Sequence, residues 1–484
     1  MIATPTWGAV FYVLCHAAVI LRVLSVDQRE PTSRAAWVMI LVFVPFVGIA
    51  AYLLFGEPWV ARSFRRRAHA VAGELIAANA AAPGHEPELE PIPERFRSAF
   101  RVCERLGACT AVAGNRATLA ADSNAAIDGM VRDFDAARET IHVSFYIWLT
   151  DNNGLKIVEA LKRAAARGVT CRVVADGIGS RAMIGSKHWK AMAGAGVRLC
   201  SSLKLSHGLA LVFGPRADLR NHRKIVVIDS RVTWCGSQNC ADPEFRIKPR
   251  FAPWVDVMVR FEGPIAAQNQ QVFVTAWMVE TGENLAAMLR TDAAEDALPA
   301  RGGFVAVAFG TGPMNLRGAM SDVFVSLLYG AHTEVVVSTP YFVPDPPLMA
   351  ALVSCARRRV ATTLILPARN DSLAVAAISR AQYPVLIDAG LRIHEYQGGL
   401  LHAKTLVADG EVALVGSANM DRRSLELNFE NNILLHSAEV ASALRVRQNS
   451  YLIRSREVTA ESVRRRGFLR QLIGNTATMF GPVL

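Results

Sequence analysis

Residues 222–239, HRKIVVIDSRVTWCGSQN, return at residues 402–419 as HAKTLVADGEVALVGSAN. His, Lys, Asp, Gly, Ser and Asn keep their places while the apolar positions between them drift, the reverse of what packing alone would preserve. IVVID and TLVAD read as strands, and VTWC and VALV as the strands that return. Between them lie Asp229-Ser230 and Asp409-Gly410; Asp-Gly is a strong two-residue hairpin signal and Asp-Ser a weaker one. A turn centred there sets His222 opposite Ser237 and His402 opposite Ser417. Lys224 and Lys404, two residues on, share the histidine's face of the strand, and Asn239 and Asn419 lie on that face beside the serines. The motif aspartates, Asp229 and Asp409, fall in the turns at the far end.

Each copy has a matching preface. TIHVSFYIWLTDNNGLKIVEALKRAAARGVTCRVVADGIGS (140–180) and TEVVVSTPYFVPDPPLMAALVSCARRRVATTLILPARNDS (333–372) both run apolar strand, polar loop, amphipathic helix, apolar strand. That is a βαβ pattern. The stretch 284–302 has the composition of a connector. A chain of 484 residues exceeds one ordinary core. The expectation is an α/β protein of two modules, 111–290 and 303–484, related by pseudo-two-fold symmetry.

Upstream, WGAVFYVLCHAAVILRVL (7–24) is apolar except for His16 and Arg22, and AAWVMILVFVPFVGIAAYLLF (35–55) carries no charge. About 20 residues at 1.5 Å each span a hydrocarbon core. Residues 1–60 are therefore expected to form a transmembrane hairpin, kinked at Pro45. Arg62, Arg65, Arg66 and Arg67 follow the second span, which by the positive-inside rule puts both termini and both modules in the cytoplasm. Residues 61–110 read as a basic stretch and then an Ala-, Pro- and Glu-rich linker. A cleaved leader fits less well, because a basic n-region and a small-residue cleavage site are both missing.

The formal net charge of +11 favours an anionic partner: nucleic acid, an acidic membrane or a phosphorylated substrate. The eight cysteines form neither a CxxC pair nor a Cys/His zinc spacing, and read as scattered thiols of a reducing compartment.

Lysine, serine and asparagine supply donors without an acceptor charge, which suits non-bridging phosphate oxygens and the charge that grows on them in a transition state. Histidine near neutral pH can attack phosphorus or protonate a leaving oxygen. Two facing hairpins provide one histidine for each task. Neither a carboxylate cluster of metal-binding spacing nor a Walker loop accompanies them, so the expectation is phosphoryl transfer without metal, nucleotide or other cofactor.

H-x-K-x4-D followed by GSxN, twice in one chain, resembles the phospholipase D superfamily. The likeness extends to the bacterial cardiolipin synthases through YLLFGEP, DGIGSR, RNHRK, STPYFVPD, GLLHAK and GSANMDRRSLELNFE, and covers essentially the whole chain. It implies two phospholipase D-like α/β modules behind a transmembrane hairpin in a bacterial inner membrane. It also implies a phosphatidyl group passed between two phosphatidylglycerol molecules through a histidine adduct, with release of glycerol. On that likeness His222 is the nucleophile and His402 the acid and base, although the residues alone leave the two equivalent. Lys224, Lys404, Asp229 and Asp409 complete the catalytic motifs, and Ser237, Asn239, Ser417 and Asn419 contact substrate. An acid stands behind each histidine to orient its ring, and Asp256 in PWVDVMVRFEGP and Glu430 in LNFEN match those positions. The first copy departs from the family at WCGSQNCADPEF and at VDVM, which leaves the acceptor less defined.

Three rivals remain. A membrane-tethered nuclease would use the positive charge, but the basic runs Arg65–Arg67, Arg357–Arg359 and Arg464–Arg466 are dispersed, with little aromatic interleaving. They fit an anionic bilayer equally, at about 1 kcal/mol per basic residue near the surface, and the hairpin turns the balance to lipid rather than nucleic acid. A phosphatidyltransferase or phospholipase with another acceptor is the second rival, and an inactive scaffold the third. Homo-oligomerisation is left open.

Overall fold

One continuous sheet of 15 strands carries both copies of the repeated sentence. The computed structural model describes residues 7–26, 31–57, 62–80, 91–203, 218–289, 302–315 and 318–465, with isolated residues between 472 and 479. The Pro/Glu-rich linker over 81–90, most of the 284–302 connector and Arg466 lie outside the described residues.

The two prefaces fold alike. Strand Thr140–Phe145, helix Asn152–Ala166 and strand Thr170–Asp176 form a parallel βαβ unit, as do Glu334–Ser338, Pro346–Arg357 and Ala361–Pro367. Each helix starts where the polar loop supplies a cap. The Asp151 carboxylate accepts from the Gly154 N–H, and that of Asp345 from Leu348 N–H, with Pro346 at the first helical position. The first strand of each repeated hairpin then joins antiparallel, Ile225–Ile228 to Thr140–Phe145 and Thr405–Ala408 to Glu334–Ser338. All four residues of IVVI and all four of TLVA are buried, because helices cover both sheet faces. The two half-sheets meet at Phe304–Thr311, which pairs with Val112–Leu119 on one side and Glu430–His436 on the other.

The hairpin register differs from the expectation by one residue. Ile228 pairs with Val232 and Ala408 with Val412, so three residues rather than two make each turn. Asp229 and Ser230 are both left-handed (φ 49° and 53°), as are Asp409 and Gly410 (φ 52° and 66°). The residue after each such pair stands outside the ladder as a bulge. Ser237 is therefore not opposite His222, nor Ser417 opposite His402.

The expected second span is also not one helix. Helix α1 covers Trp7–Ser25, but residues 31–55 divide into α2, Pro31–Phe43, and α3, Pro45–Phe55, broken at Val44. Pro45 lacks an N–H and its ring crowds the carbonyl one turn back, so it starts a helix instead of continuing one. Among the described residues no helix is long and apolar enough to cross a membrane. The three helices still pack as a unit around Val23, Trp37, Leu41 and Tyr52. Glu57 ties its ends, accepting two hydrogen bonds from the Arg22 guanidinium and one from the Tyr52 hydroxyl. Helix α4, Arg62–Ala80, then lays Phe64 and Val71 against the helix Ile265–Thr281.

Candidate active site

Each motif histidine follows a short segment that crosses to the other module. Asn221 bridges Phe429 in parallel, and the His222 N–H donates to the Phe429 carbonyl. Likewise Leu400–Leu401 runs parallel to Trp254–Val255, and the His402 N–H donates to Val255. The residue after each acceptor is an acid, so the pairing sets Glu430 beside His222 and Asp256 beside His402.

The side chains complete that crossing. His222 Nδ1 lies 2.9 and 2.8 Å from the Glu430 oxygens, and His402 Nδ1 lies 2.6 Å from Asp256 Oδ1. All four residues are buried. The serines expected to meet substrate instead donate to these acids: Ser237 to Asp256 at 2.6 Å, and Ser417 to Glu430. Glu430 also accepts from Ser424 and Asn428. A buried carboxylate needs several donors to stay ionised, and the one-residue register offset brings the serines to it. Glycine is needed before each serine, since a methyl at Gly236 would overlap the Val257 carbonyl and one at Gly416 the Asn431 carbonyl.

The asparagines act at one remove. Asn419 Nδ2 is 3.2 Å from Ser424 Oγ, which places it in the network behind His222. Asn239 Oδ1 accepts from the Ile147 N–H. The lysines do stand beside the histidines. Lys224 Nζ donates to the His222 carbonyl, and Lys404 Nζ to the His402 carbonyl at 2.8 Å, with His402 Nε2 at 3.1 Å. Among the described residues, His222 Nε2 makes no hydrogen bond.

Asp229 and Asp409 stand apart from this centre. Asp229 accepts from the backbone N–H groups of Arg138, Glu139 and Thr140, each at 2.8 Å. Asp409 accepts from those of His332, Thr333 and Glu334. Both carboxylates join the turn of their hairpin to the start of the module's first strand; neither touches His222 or His402. Their left-handed turn conformation points them there.

Electrostatics follow from burial. Desolvation holds His222 down to about 3 and His402 to about 4, against the pull of their carboxylates, with the lysine ammoniums adding to the depression. Both rings are neutral at pH 7, with the proton on Nδ1 toward an ionised acid. Glu430 and Asp256 stay low because the positive and donor groups around them outweigh burial. Burial brings Lys404 down to about 8 and Lys224 well below its usual value; the Lys404 ammonium lowers Lys224 further and also acts on His222, so the two half-sites share one field. The centre is thus two neutral imidazoles and two crowded lysines whose charged forms burial disfavours and a bound anion would favour. Among the described residues no group of three or more His, Cys, Asp or Glu is arranged to hold a metal.

The sequence reading missed two aromatic walls. Tyr146 meets the His222 ring edge-on at 5.0 Å and lies under the Lys224 ammonium, while Trp254 leans on His402 at 4.6 Å. Trp254 stands two residues before Asp256, and Tyr146 at the end of the strand Thr140–Phe145. Either position becomes informative only once the strand ends are known to converge. Ser424 and Asn428 lay in the quoted GSANMDRRSLELNFEN run but had no counterpart in the first copy to mark them.

Comparison with known proteins points to one family. The family described as cardiolipin synthase, PLD-like domain, matches residues 130–273 and 324–451, and the phospholipase D-nuclease N-terminal family matches 16–57. Cardiolipin synthase A of Klebsiella pneumoniae (strain 342) is 35% identical over 480 residues, covering 98% of this chain and 97% of the relative. Cardiolipin synthase A of Cronobacter sakazakii is 34% identical over 478 residues, with the same coverage. The crystal structure of phosphatidylserine synthase from Haemophilus influenzae Rd KW20 has the same fold, with a TM-score of 0.56 at 11% identity over 79% of this chain and 97% of that one. A match over more than half the chain, with full-length relatives at this identity, makes the chain a member of the cardiolipin synthase family of phospholipase D-like proteins.

Proposed function

We propose that the protein is a phosphatidyltransferase that joins two phosphatidylglycerol molecules into cardiolipin and releases glycerol. The observation that carries the mechanism is the crossed pair of neutral histidines, one with Nε2 free among the described residues and one with Nε2 against Lys404. The phosphodiester anion sits between the Lys224 and Lys404 ammoniums, which balance the charge that grows on its oxygens. His222 Nε2 attacks phosphorus while Nδ1–H stays on Glu430, whose charge offsets the positive ring that forms. The bound anion raises the proton affinity of His402, so its Nε2 first takes a proton from the Lys404 ammonium 3.1 Å away. The P–O bond to glycerol breaks as His402 passes that proton to the leaving oxygen. The terminal hydroxyl of a second phosphatidylglycerol then gives its proton to His402 Nε2 and attacks phosphorus, freeing His222. One phosphodiester replaces another, so the exchange needs no energy donor.

The N-terminal helices anchor the enzyme in the bilayer, with the two modules on the cytoplasmic side. In support, Phe11, Leu21, Phe43, Phe46 and Val47 are all more than 60% exposed on that hairpin, and Arg65 and Arg66 follow it on the outer face of α4.

The test is incubation of purified protein with phosphatidylglycerol vesicles and a chelator, with lipid products and glycerol quantified. Cardiolipin and glycerol should appear in equal amounts. Phosphatidic acid as the dominant product would make water the acceptor and the protein a hydrolase, and strict dependence on magnesium would sink the mechanism.

A further inference from the structure

Behind the segment that carries His222 lies a cavity of about 270 Å³. Its roof is α4, through Phe64, Ala68 and Leu75; its floor is the helix Ile265–Thr281, through Val272, Ala276 and Val279. Its inner wall is Asn221, Arg223 and Phe429, the immediate neighbours of His222 and Glu430. Engineered apolar cavities of about 150 Å³ take up benzene, so this one has room for a length of hydrocarbon chain.

The lining is mainly apolar but also carries Gln271, Glu280 and Asn315, and among its polar groups Arg223 stands out. The Arg223 guanidinium lies 5.0 Å above the Phe429 ring, and its Nε is buried with no hydrogen-bond partner among the described residues. An unmatched buried donor is costly and rare. The Arg223 Nε–H therefore calls for a ligand that is apolar along most of its length and carries an oxygen acceptor at its inner end.

We propose that this cavity receives one acyl chain of the phosphatidyl donor, with its ester carbonyl accepting from Arg223 Nε; this rests on the function proposed above. The adjacency explains why. A phosphate held at His222 leaves its glycerol backbone beside residues 221–223, where a chain must either return to the bilayer or enter the protein. A chain moved from bilayer to an apolar cavity gains little by burial, because lipid tails are as apolar as the lining. The cavity therefore acts on position rather than on affinity alone. It lets the donor's phosphorus rise to the depth of the histidines, and it fixes which lipid is donor while the acceptor presents only its headgroup. Helix α4 is the wall that comes next after the hairpin in the chain.

The test uses full-length protein carrying His222→Ala, which binds without turnover, in vesicles containing phosphatidylglycerol with a diazirine midway along one acyl chain. After irradiation, label should map to α4 and to the helix Ile265–Thr281, and Ala276→Trp in the same background should cut it at least fivefold. Kinetics on the otherwise native enzyme give a second readout. Ala276→Trp should lower kcat/KM on dioleoyl phosphatidylglycerol at least tenfold more than on the dihexanoyl lipid, whose chains are too short to fill the space. Ala68→Trp, on the outer helix, repeats the test should Ala276→Trp fail to fold. Label confined to the hairpin, label unaffected by either tryptophan, or equal losses on both chain lengths would overturn the proposal. Because the cross-link needs no catalysis, its success alongside a native enzyme that forms no cardiolipin would sink the proposed reaction and leave the cavity assignment standing.

Discussion

His222 and Glu430 stand 208 residues apart in the chain, yet Nδ1 of one lies 2.8 Å from Oε2 of the other, and both are buried. His402 and Asp256 repeat the relationship in reverse. Neither half of the repeat owns a complete histidine–carboxylate couple. Duplication therefore produced one site of two exchanged parts, and the modules depend on each other for chemistry as well as for packing.

Removing the charge behind a histidine should slow the reaction without loosening the lipid. Glu430→Gln and Asp256→Asn should each lower kcat by about 10²-fold, with KM changed less than threefold, since supporting partners of this kind typically matter by 10- to 100-fold. His222→Ala combined with Glu430→Gln should be no slower than His222→Ala alone, because the acid acts only through the ring. Steady-state kinetics on the three proteins decide this; losses that multiply would mean that Glu430 has a task of its own.

The motif aspartates should separate from the catalytic set. Each carboxylate holds three backbone N–H groups at a strand end. Asp229→Ala or Asp409→Ala should cost about 1–3 kcal/mol of stability through those unpaired groups. At a temperature where the variant remains folded, kcat should stay within threefold of the native value. A well-folded Asp229→Ala protein with no activity would refute the structural role.

Two pH limbs should have different causes. Lys404 is held down to about 8 by burial, and its charged form, present below that pH, is the one that binds the phosphodiester. Activity should therefore fall as pH rises through about 8, and Lys404→Arg should move that limb upward by more than one unit at lower absolute rate. On the acid side, His222 and His402 sit far below their ordinary value of 6.5. The unfolded chain takes up those protons first, so the neutral rings stabilise the fold fully above about pH 6.5, and that support is lost as pH falls toward 4. Each contributes a slope of roughly 1.4 kcal/mol per pH unit in that window. Thermal unfolding at pH 7 and pH 5 should show a drop that shrinks in the His222→Gln, His402→Gln double variant; parallel drops would place the acid sensitivity elsewhere.

The repeat was open to reading because its signal is periodic and local. His222, Lys224, His402 and Lys404 stand on strands whose βαβ prefaces are amphipathic and whose caps, Asp151 and Asp345, are written in the loops. Other features depend on geometry that spacing does not carry. Asp229 and Asp409 lie in the turns as read, yet the two consecutive left-handed residues there add a bulge that displaced Ser237 and Ser417 by one position, from the histidines to the acids. Composition gives residues 35–55 their apolar character, but the single backbone clash at Pro45 decides that they form two helices. Asp256 and Glu430 were found through family likeness, and which histidine each would serve is a long-range pairing that nothing near them in sequence encodes.

The two histidines, equal in sequence, should prove unequal when the first half of the reaction is isolated. Among the described residues His222 Nε2 is unengaged, and its carboxylate is held by Ser417, Ser424 and Asn428, whereas His402 Nε2 faces Lys404 and its carboxylate has Ser237 alone. A free lone pair backed by a firmly anchored anion suits the nucleophile; a nitrogen already within a proton's reach of an ammonium suits the acid. A phosphatidyl ester of p-nitrophenol removes the need for an acid, because its leaving group departs as the anion. With that donor, His402→Ala should release one equivalent of p-nitrophenolate in a burst and hold a phosphatidyl group on His222, since no base remains to activate the acceptor. His222→Ala should show neither burst nor adduct, and losing the nucleophile should cost more than the 10²- to 10⁴-fold typical of a general catalyst. Peptide mapping of the trapped protein gives the answer directly: an adduct on His402 in the His222→Ala background would exchange the two roles.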